Sequence, residues 1–343
     1  MASPARIQQL VRRHAAHLFE IASRTRTDLY DRGALPIQQV DNCAVISIGN
    51  IAVGGRGKSP FAQYVARQYL SWGYSVALLL RGYKGAMEYS GGLVSEGNGP
   101  VVSPRAAGDE AFAAASCNPG LLVHVGKNRV TQVSAAANKG VNVIVLDDGF
   151  QHRKLARHAD IVLISPEDID PHAAFVPNGH LRENAQSLKR ASLLAGYRGD
   201  WQGQRNGPKV LFELQPSILM TPSFQAVPLT ALPQKIHLLA GVAHPDRFEQ
   251  TASQLNTQVV STSFFPDHHR FSGHDLRTTE RTASANGATA ILTTTKDLPR
   301  LKEAAMALPI FGLHVQLRIT RGESQLHHIL RAALQRVPSD LSR

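Results

Sequence analysis

The stretch "CAVISIGNIAVGGRGKSPFAQYVARQYLSWG" puts a mostly apolar run, a glycine-rich turn and a helix-forming run in direct succession. A strand that passes through such a turn into a helix is the local architecture of a phosphate-binding loop. The flexible backbone wraps its N–H groups round phosphate oxygens, and the helix that follows adds its positive end. The consensus GxxxxGK[ST] falls on "AVGGRGKS", Ala52 to Ser59, so an alanine stands at the first glycine position. Gly54, Gly55, Arg56, Gly57, Lys58 and Ser59 form the expected nucleotide-binding loop. Lys58 is placed to reach the β and γ phosphates of a nucleotide, and Ser59 to put its hydroxyl on Mg²⁺.

A loop of this kind needs a parallel sheet behind it, and the rest of the chain supplies the pattern. "SVALLL", "LLVHV", "VNVIVLDD" and "ADIVLIS" read as buried strands separated by helical segments of about ten residues, the signature of right-handed crossovers. The segment "GYRGDWQGQRNGPK" interrupts this alternation near residue 200, and a second set follows in "KVLFEL", "KIHLLAG", "QVVSTSFF", "ATAILTTT" and "IFGLHVQL". The expected fold is α/β, a P-loop NTPase-like, mainly parallel sheet domain over 36–200 with a second, smaller α/β domain over 201–343 closing across a cleft. "VNVIVLDDGF" ends its strand in Asp147 and Asp148, where a metal-binding carboxylate belongs.

Charge points to an anionic partner. With 37 Lys and Arg against 26 Asp and Glu, the chain carries +11 with His neutral. Nucleic acid is not the expected one, because aromatics make up 6% of the chain and no nucleic-acid-binding module is evident. Residues 1–35 read as a basic amphipathic helix, with Ile7, Leu10, Val11, Leu18 and Ile21 at helical spacing among Arg6, Arg12, Arg13, Arg24 and Arg26. Such a helix packs on its own domain or rests on an anionic bilayer. No apolar run is long enough to span a membrane, and no signal peptide is visible, so the cytosol is the expected compartment. Cys43 and Cys117 lack disulfide or zinc spacing.

Other reactive side chains sit in "AAGDEAF" (Asp109, Glu110), "HLREN" (Arg182, Glu183) and "FFPDHHRF" (Asp267, His268, His269). Two adjacent histidines point in different directions, so at most one of them faces a site. Together with "LLLRGYKG", "VGKNR", "DDGFQHRKLARHADIVLI", "LAGVAHPDRF" and "TTKD", these stretches resemble, in order and spacing, tetraacyldisaccharide 4'-kinases over most of residues 36–300.

The resemblance implies an ATP-dependent kinase that phosphorylates the 4'-hydroxyl of an acylated disaccharide 1-phosphate during lipid A assembly. It implies ATP and Mg²⁺ as cofactors, the lipid and an anionic membrane surface as partners with no obligate protein partner, and a peripheral position on the cytoplasmic face of the bacterial inner membrane. By the same resemblance Asp109 accepts the hydroxyl proton, His268 pairs with Asp109, and Lys58 and Arg182 act on the transferred phosphoryl group. Ser59, Asp147, Asp148 and Glu183 surround the metal. Ala52, Arg56 and Ser59 depart from the family's "GNITVGGTGKTP", and "GHLREN" replaces "GPLREP". The competing readings are a phosphate-loop ATPase or GTPase serving as a regulatory switch or metallochaperone, and a nucleic-acid-binding protein.

Overall fold

The apolar runs expected to be strands are strands. In the computed structural model, which describes residues 4–204, 207–301 and 306–337, Ala44–Asn50, Val76–Leu80, Val143–Asp147 and Ala159–Leu163 are buried at every position. A parallel strand covered on both faces needs no polar alternation, which is why these segments are nearly continuous in apolar residues. The extreme ends of the expected 1–35 and 201–343 segments, and residues 205–206 within the expected boundary, lie outside the described residues.

The chain divides into two compact units, and neither is continuous in sequence. The first comprises the residues up to Leu79, Asn128–Glu213 and the chain from Ile319 on; the second comprises Leu80–Lys127 and Leu214–Arg318. A polar, glycine-rich stretch such as that near residue 200 marks a loop, and composition alone does not tell which sheet the chain joins after it.

In the first unit the strands are parallel and lie in the order Val76–Leu80, Val143–Asp147, Ala44–Asn50, Ala159–Leu163, Leu193–Tyr197 and the beginning of Val210–Met220. Ile48 stands opposite Asp147 in this register, so the strand feeding the glycine loop and the strand ending in two aspartates deliver their carboxyl ends side by side. That is where open parallel sheets place ligands. The C-terminal helix Glu323–Gln335, absent from the sequence reading, closes the unit by burying Leu326, Leu330 and Ala333, and Tyr69 Oη donates to the Leu330 carbonyl at 2.7 Å.

In the second unit the parallel strands are ordered Gln258–Phe265, Lys235–Gly241, Ala290–Thr294 and Ile310–Arg321, and Gly92–Glu96 pairs antiparallel with Leu122–Val125. Leu238 and Ala240 enter one apolar cluster and Leu239 another, as period-two alternation across a doubly covered sheet requires.

The N-terminal helix spans Pro4–Asp31. Its second half docks on the first unit: Tyr30 is buried, Ser23 Oγ donates to the Arg182 carbonyl at 3.0 Å, and Arg153 bonds the Thr27 carbonyl and the Asp31 carboxylate. Ile7, Leu10, Val11, Leu18 and Ile21, the apolar positions legible in the sequence, remain exposed. The helix packs on its unit with one part of its surface and leaves the apolar stripe to solvent. No described helix is long and apolar enough to cross a membrane.

Candidate active site

Strand Ala44–Asn50 runs into the loop and helix Lys58–Ser71 leaves it. Gly57 caps this helix in the left-handed region at φ 83°, where a Cβ would also meet the Phe212 ring at 3.1 Å. A side chain is excluded there on both counts. Among the described residues no side chain caps the helix, which leaves its first N–H groups placed for an anion.

The segment 180–183 braces the loop from the side. Val53 N donates to the His180 carbonyl at 2.8 Å, the amides of Arg182 and Glu183 share the Ile51 carbonyl, and Ala52 forms an antiparallel bridge with Leu181. Ala52, the departure from the glycine consensus, is wholly buried in the cluster containing Ile51, Phe150 and Leu181.

The Arg56 side chain is turned into the protein. Its guanidinium is buried and donates to Asp168 Oδ1 at 2.9 Å and Glu167 Oε2 at 3.2 Å. Asp168, itself wholly buried, accepts from Ser165 N in a capping box and lies 3.3 Å from His180 Nε2. The ion pair therefore ties the loop to the Pro166–Ile169 turn. Removing one member strands a buried charge, at a cost of about 3–5 kcal/mol. Arg56→Thr is expected to lower unfolding free energy by about that amount. Combining it with Asp168→Asn should cost much less than the sum of the two, a non-additivity that denaturant unfolding would measure.

The two aspartates differ in surroundings. Ser59 Oγ donates to Asp147 Oδ2 at 2.6 Å, while Asp147 Oδ1 is buried with no hydrogen-bond partner among the described residues. Burial pushes the Asp147 carboxyl up, opposed by the Ser59 bond. Asp148 sits in the left-handed region at φ 54°, a strained conformation of the kind that collects at functional sites. It receives both ends of the Arg182 fork, at 2.8 and 3.0 Å, with Lys58 Nζ at 3.6 Å. Burial opposes its ionisation, but the Arg182 hydrogen bonds and the Lys58 charge outweigh it and hold the carboxyl well below the usual range.

Asn50, the last residue of the first strand, completes this group. Its amide oxygen accepts from Lys58 Nζ at 3.2 Å and from Arg182 Nη2. Sequence reading missed Asn50, although its place directly before the glycine loop was a usable signal. Glu183 is turned elsewhere, with Oε2 paired to Arg190 Nη2, and forms no hydrogen bond with Ser59, Asp147 or Asp148 among the described residues.

Asp109 and His268 both belong to the second unit. Asp109 begins helix Asp109–Cys117 directly after Gly108. The segment before it is set by backbone-to-backbone packing: a Cβ on Gly85 would lie 2.6 Å from Gly108 N and 2.7 Å from the Ala106 carbonyl oxygen. His268 follows strand Gln258–Phe265 at φ 58°, stands edge-on to Tyr83 at 5.1 Å, and has Lys84 Nζ 3.3 Å from its carbonyl. Burial first, then the charges of Lys296, Arg300 and Lys84, push the His268 ring down to about 4, so it is neutral near pH 7. His269 points away, stacked on Phe265 and bonded at 3.0 Å to Asp275, the third residue of the next helix and partner of its cap Ser272.

Asp109 and His268 share no direct hydrogen bond among the described residues. Arg300 reaches both, with Nε donating to Asp109 Oδ2 at 2.6 Å and Nη2 standing 3.5 Å from His268 Nδ1. Arg300 lies three residues beyond the "TTKD" stretch, and nothing in its local pattern distinguished it from a solvated arginine.

A glycine loop between a buried parallel strand and a helix, with Lys58, Ser59 and paired carboxylates beside it, defines a phosphate-loop kinase fold. The sequence pattern of the family LpxK, "Tetraacyldisaccharide-1-P 4'-kinase", matches residues 9–335. Tetraacyldisaccharide 4'-kinases from Anaeromyxobacter sp. (strain K) and Syntrophus aciditrophicus (strain SB) are 35% and 33% identical to this chain; the alignments cover 93% and 89% of it and 89% and 88% of those proteins. A crystal structure of LpxK from Aquifex aeolicus in complex with ATP superposes with a TM-score of 0.76 at 29% identity, covering 93% of this chain and 97% of that one. The chain belongs to the tetraacyldisaccharide-1-P 4'-kinase family.

Proposed function

We propose that this kinase transfers the γ-phosphoryl group of ATP to the 4'-hydroxyl of a tetraacyldisaccharide 1-phosphate, yielding lipid IVA. The observation that supports the reading most strongly is the array around Asp148: Lys58 and Arg182 converge on one ionised carboxylate beside the Ser59–Asp147 pair, at the end of the strand next to the glycine loop. Lys58 and the loop amides bind the β and γ phosphates, and Arg182 stabilises charge on the transferred group.

The donor set suits Mg²⁺. Asp147 Oδ1 is a buried carboxylate oxygen with no hydrogen-bond partner among the described residues, next to the Ser59 hydroxyl. No cluster of three His, Cys, Asp or Glu able to cage a metal occurs among the described residues, which fits an ion that takes its other ligands from water and phosphate. Ser59, Asp147 and Asp148 would hold the ion, which when bound neutralises charge on the phosphate oxygens.

Asp109 accepts the hydroxyl proton as the sugar oxygen bonds to the γ-phosphorus. The bond from that phosphorus to the β–γ bridging oxygen breaks, and ADP leaves with the electron pair. A carboxylate is a weak base, adequate where the proton departs late in a loose transition state. Transfer of labelled γ-phosphate to a lipid A disaccharide 1-phosphate tests the function: label should appear on the lipid only when enzyme, ATP and acceptor are all present. Release as inorganic phosphate, equal with and without lipid, would point instead to an ATPase switch.

The substrate's acyl chains keep it in a bilayer, and the exposed stripe on helix Pro4–Asp31 suits the same surface. Leu10, Val11 and Leu18 are more than half exposed, with Arg6, Arg12 and Arg13 nearby for anionic headgroups. The reading is of a peripheral protein at the cytoplasmic face of the inner membrane, which this stripe and its neighbouring arginines support. Because the second half of the helix is docked, substitution is a cleaner test than truncation. Leu10→Glu with Val11→Glu should lower binding to anionic vesicles by about tenfold or more while leaving the melting temperature unchanged. Undiminished co-sedimentation would remove this helix from membrane contact.

A further inference from the structure

We infer that Arg300 is the positioning residue of the acceptor side, fixing which oxygen of Asp109 meets the sugar hydroxyl and which nitrogen of His268 carries the proton. The inference rests on the proposed roles of Asp109 and His268 and adds to them.

The guanidinium is used on every edge. Nε donates to Asp109 Oδ2 at 2.6 Å and Nη1 to the His269 carbonyl at 2.8 Å, Asp297 Oδ1 lies 3.1 Å from Nη1 as an ion-pair neighbour outside hydrogen-bond geometry, and Nη2 faces His268 Nδ1 at 3.5 Å. Asp297 is an unyielding anchor: its side chain is wholly buried, and Oδ2 accepts from Gly241 N and from Thr294 Oγ1, both at 2.9 Å. Arg300 is itself buried at a tenth of its surface exposed, and all these partners lie in the second unit. A planar fork that donates to Asp109 and to the His269 carbonyl, beside the buried Asp297 charge, has little freedom to turn.

Two consequences follow from the fact that arginine only donates. Oδ2 of Asp109 is taken, while Oδ1 has no partner among the described residues, so Oδ1 is the oxygen offered to the hydroxyl. Nδ1 of His268 faces a donor and keeps its lone pair, so the proton of the neutral ring sits on Nε2. A lysine at this position supplies charge and one bond to Asp109, yet it cannot span Asp109, His269, Asp297 and His268 together.

The test uses the full-length enzyme with Arg300→Ala and Arg300→Lys. Expected are a fall in kcat of roughly 10–100-fold for Arg300→Ala, partial recovery in Arg300→Lys, and an ATP dissociation constant within about twofold of wild type in both. Nitrogen-15 spectra of histidine-labelled protein, assigned with His268→Gln, should show His268 protonated on Nε2 in the wild type and a tautomer mixture in Arg300→Ala. A merely structural loss would lower the folded fraction and leave the tautomer of the folded protein unchanged. Wild-type kcat in Arg300→Ala, or Nδ1 protonation in the unaltered enzyme, overturns the inference. Should neither variant fold, the wild-type tautomer decides alone. Asp109→Asn separates the two levels: if it stays active the base assignment fails, and if it is inactive while Arg300→Ala turns over normally, only the role of Arg300 fails.

Discussion

Asp109→Asn is expected to turn over about 10³-fold more slowly than the wild type while binding ATP with unchanged affinity. General-base catalysis contributes about 10²–10⁴-fold in rate, and each tenfold corresponds to about 1.4 kcal/mol of barrier. Asparagine is the informative substitution here because its amide oxygen can still accept from Arg300 Nε, which bonds the native carboxylate at 2.6 Å. The helix that begins at Asp109 and the anchored guanidinium then keep their places, and the loss reports the missing base. Asp109→Ala removes the acceptor as well and leaves a buried arginine with fewer partners, so it should lose stability in addition to turnover. The comparison is made by single-turnover kinetics with saturating ATP, beside equilibrium nucleotide binding and thermal unfolding. Turnover by Asp109→Asn within a few-fold of wild type would take Asp109 out of the proton transfer.

The nucleotide end was the most legible part of this sequence because each of its signals is local. A strand, a glycine turn and a helix are contiguous, and the "DD" pair follows directly on an apolar run, so Lys58, Ser59, Asp147 and Asp148 could be named without knowing the fold. Arg182 could be named from the sequence, but its meeting with Asn50 and Asp148 required the tertiary structure, since it depends on the 180–183 segment returning to the Ile51 carbonyl. Arg56 inside the loop suggested a nucleotide contact, and its guanidinium instead found Asp168, more than a hundred residues away. The roles proposed for Asp109 and His268 came from family resemblance alone, and Arg300 was not legible at all. Asp109, His268 and Arg300 come from three separate segments, and no spacing rule links them. The discontinuity of the two units escaped for a similar reason. Strand-length apolar runs announce themselves, but the sheet that each run joins is decided by long-range packing. Helix Glu323–Gln335 carries a readable apolar period at Leu326, Leu330 and Ala333, so it too was legible in the sequence.

Lys58→Ala should weaken ATP binding by more than the loss of one cation, because of what Lys58 leaves behind. Asp148 is held ionised by its Arg182 hydrogen bonds together with Lys58, and the Arg182 fork remains in the variant. Without Lys58 the site presents that carboxylate to the γ-phosphate with one fewer cation to offset it. Two like charges about 5 Å apart at an effective dielectric constant near 20 repel by roughly 3 kcal/mol, comparable to what a lysine–phosphate contact contributes. We expect a loss of about 10²-fold or more in ATP affinity for Lys58→Ala, measured in EDTA so that only the protein's own charges act. Adding Asp148→Asn should then restore about tenfold, since neutralising the carboxylate removes the repulsion that the missing lysine had masked. Raising the salt concentration should narrow the gap between the single and double variants, as screening predicts for a partly exposed charge. If the double variant binds ATP no better than Lys58→Ala, Asp148 does not face the phosphates, and Lys58 acts through its own contact alone.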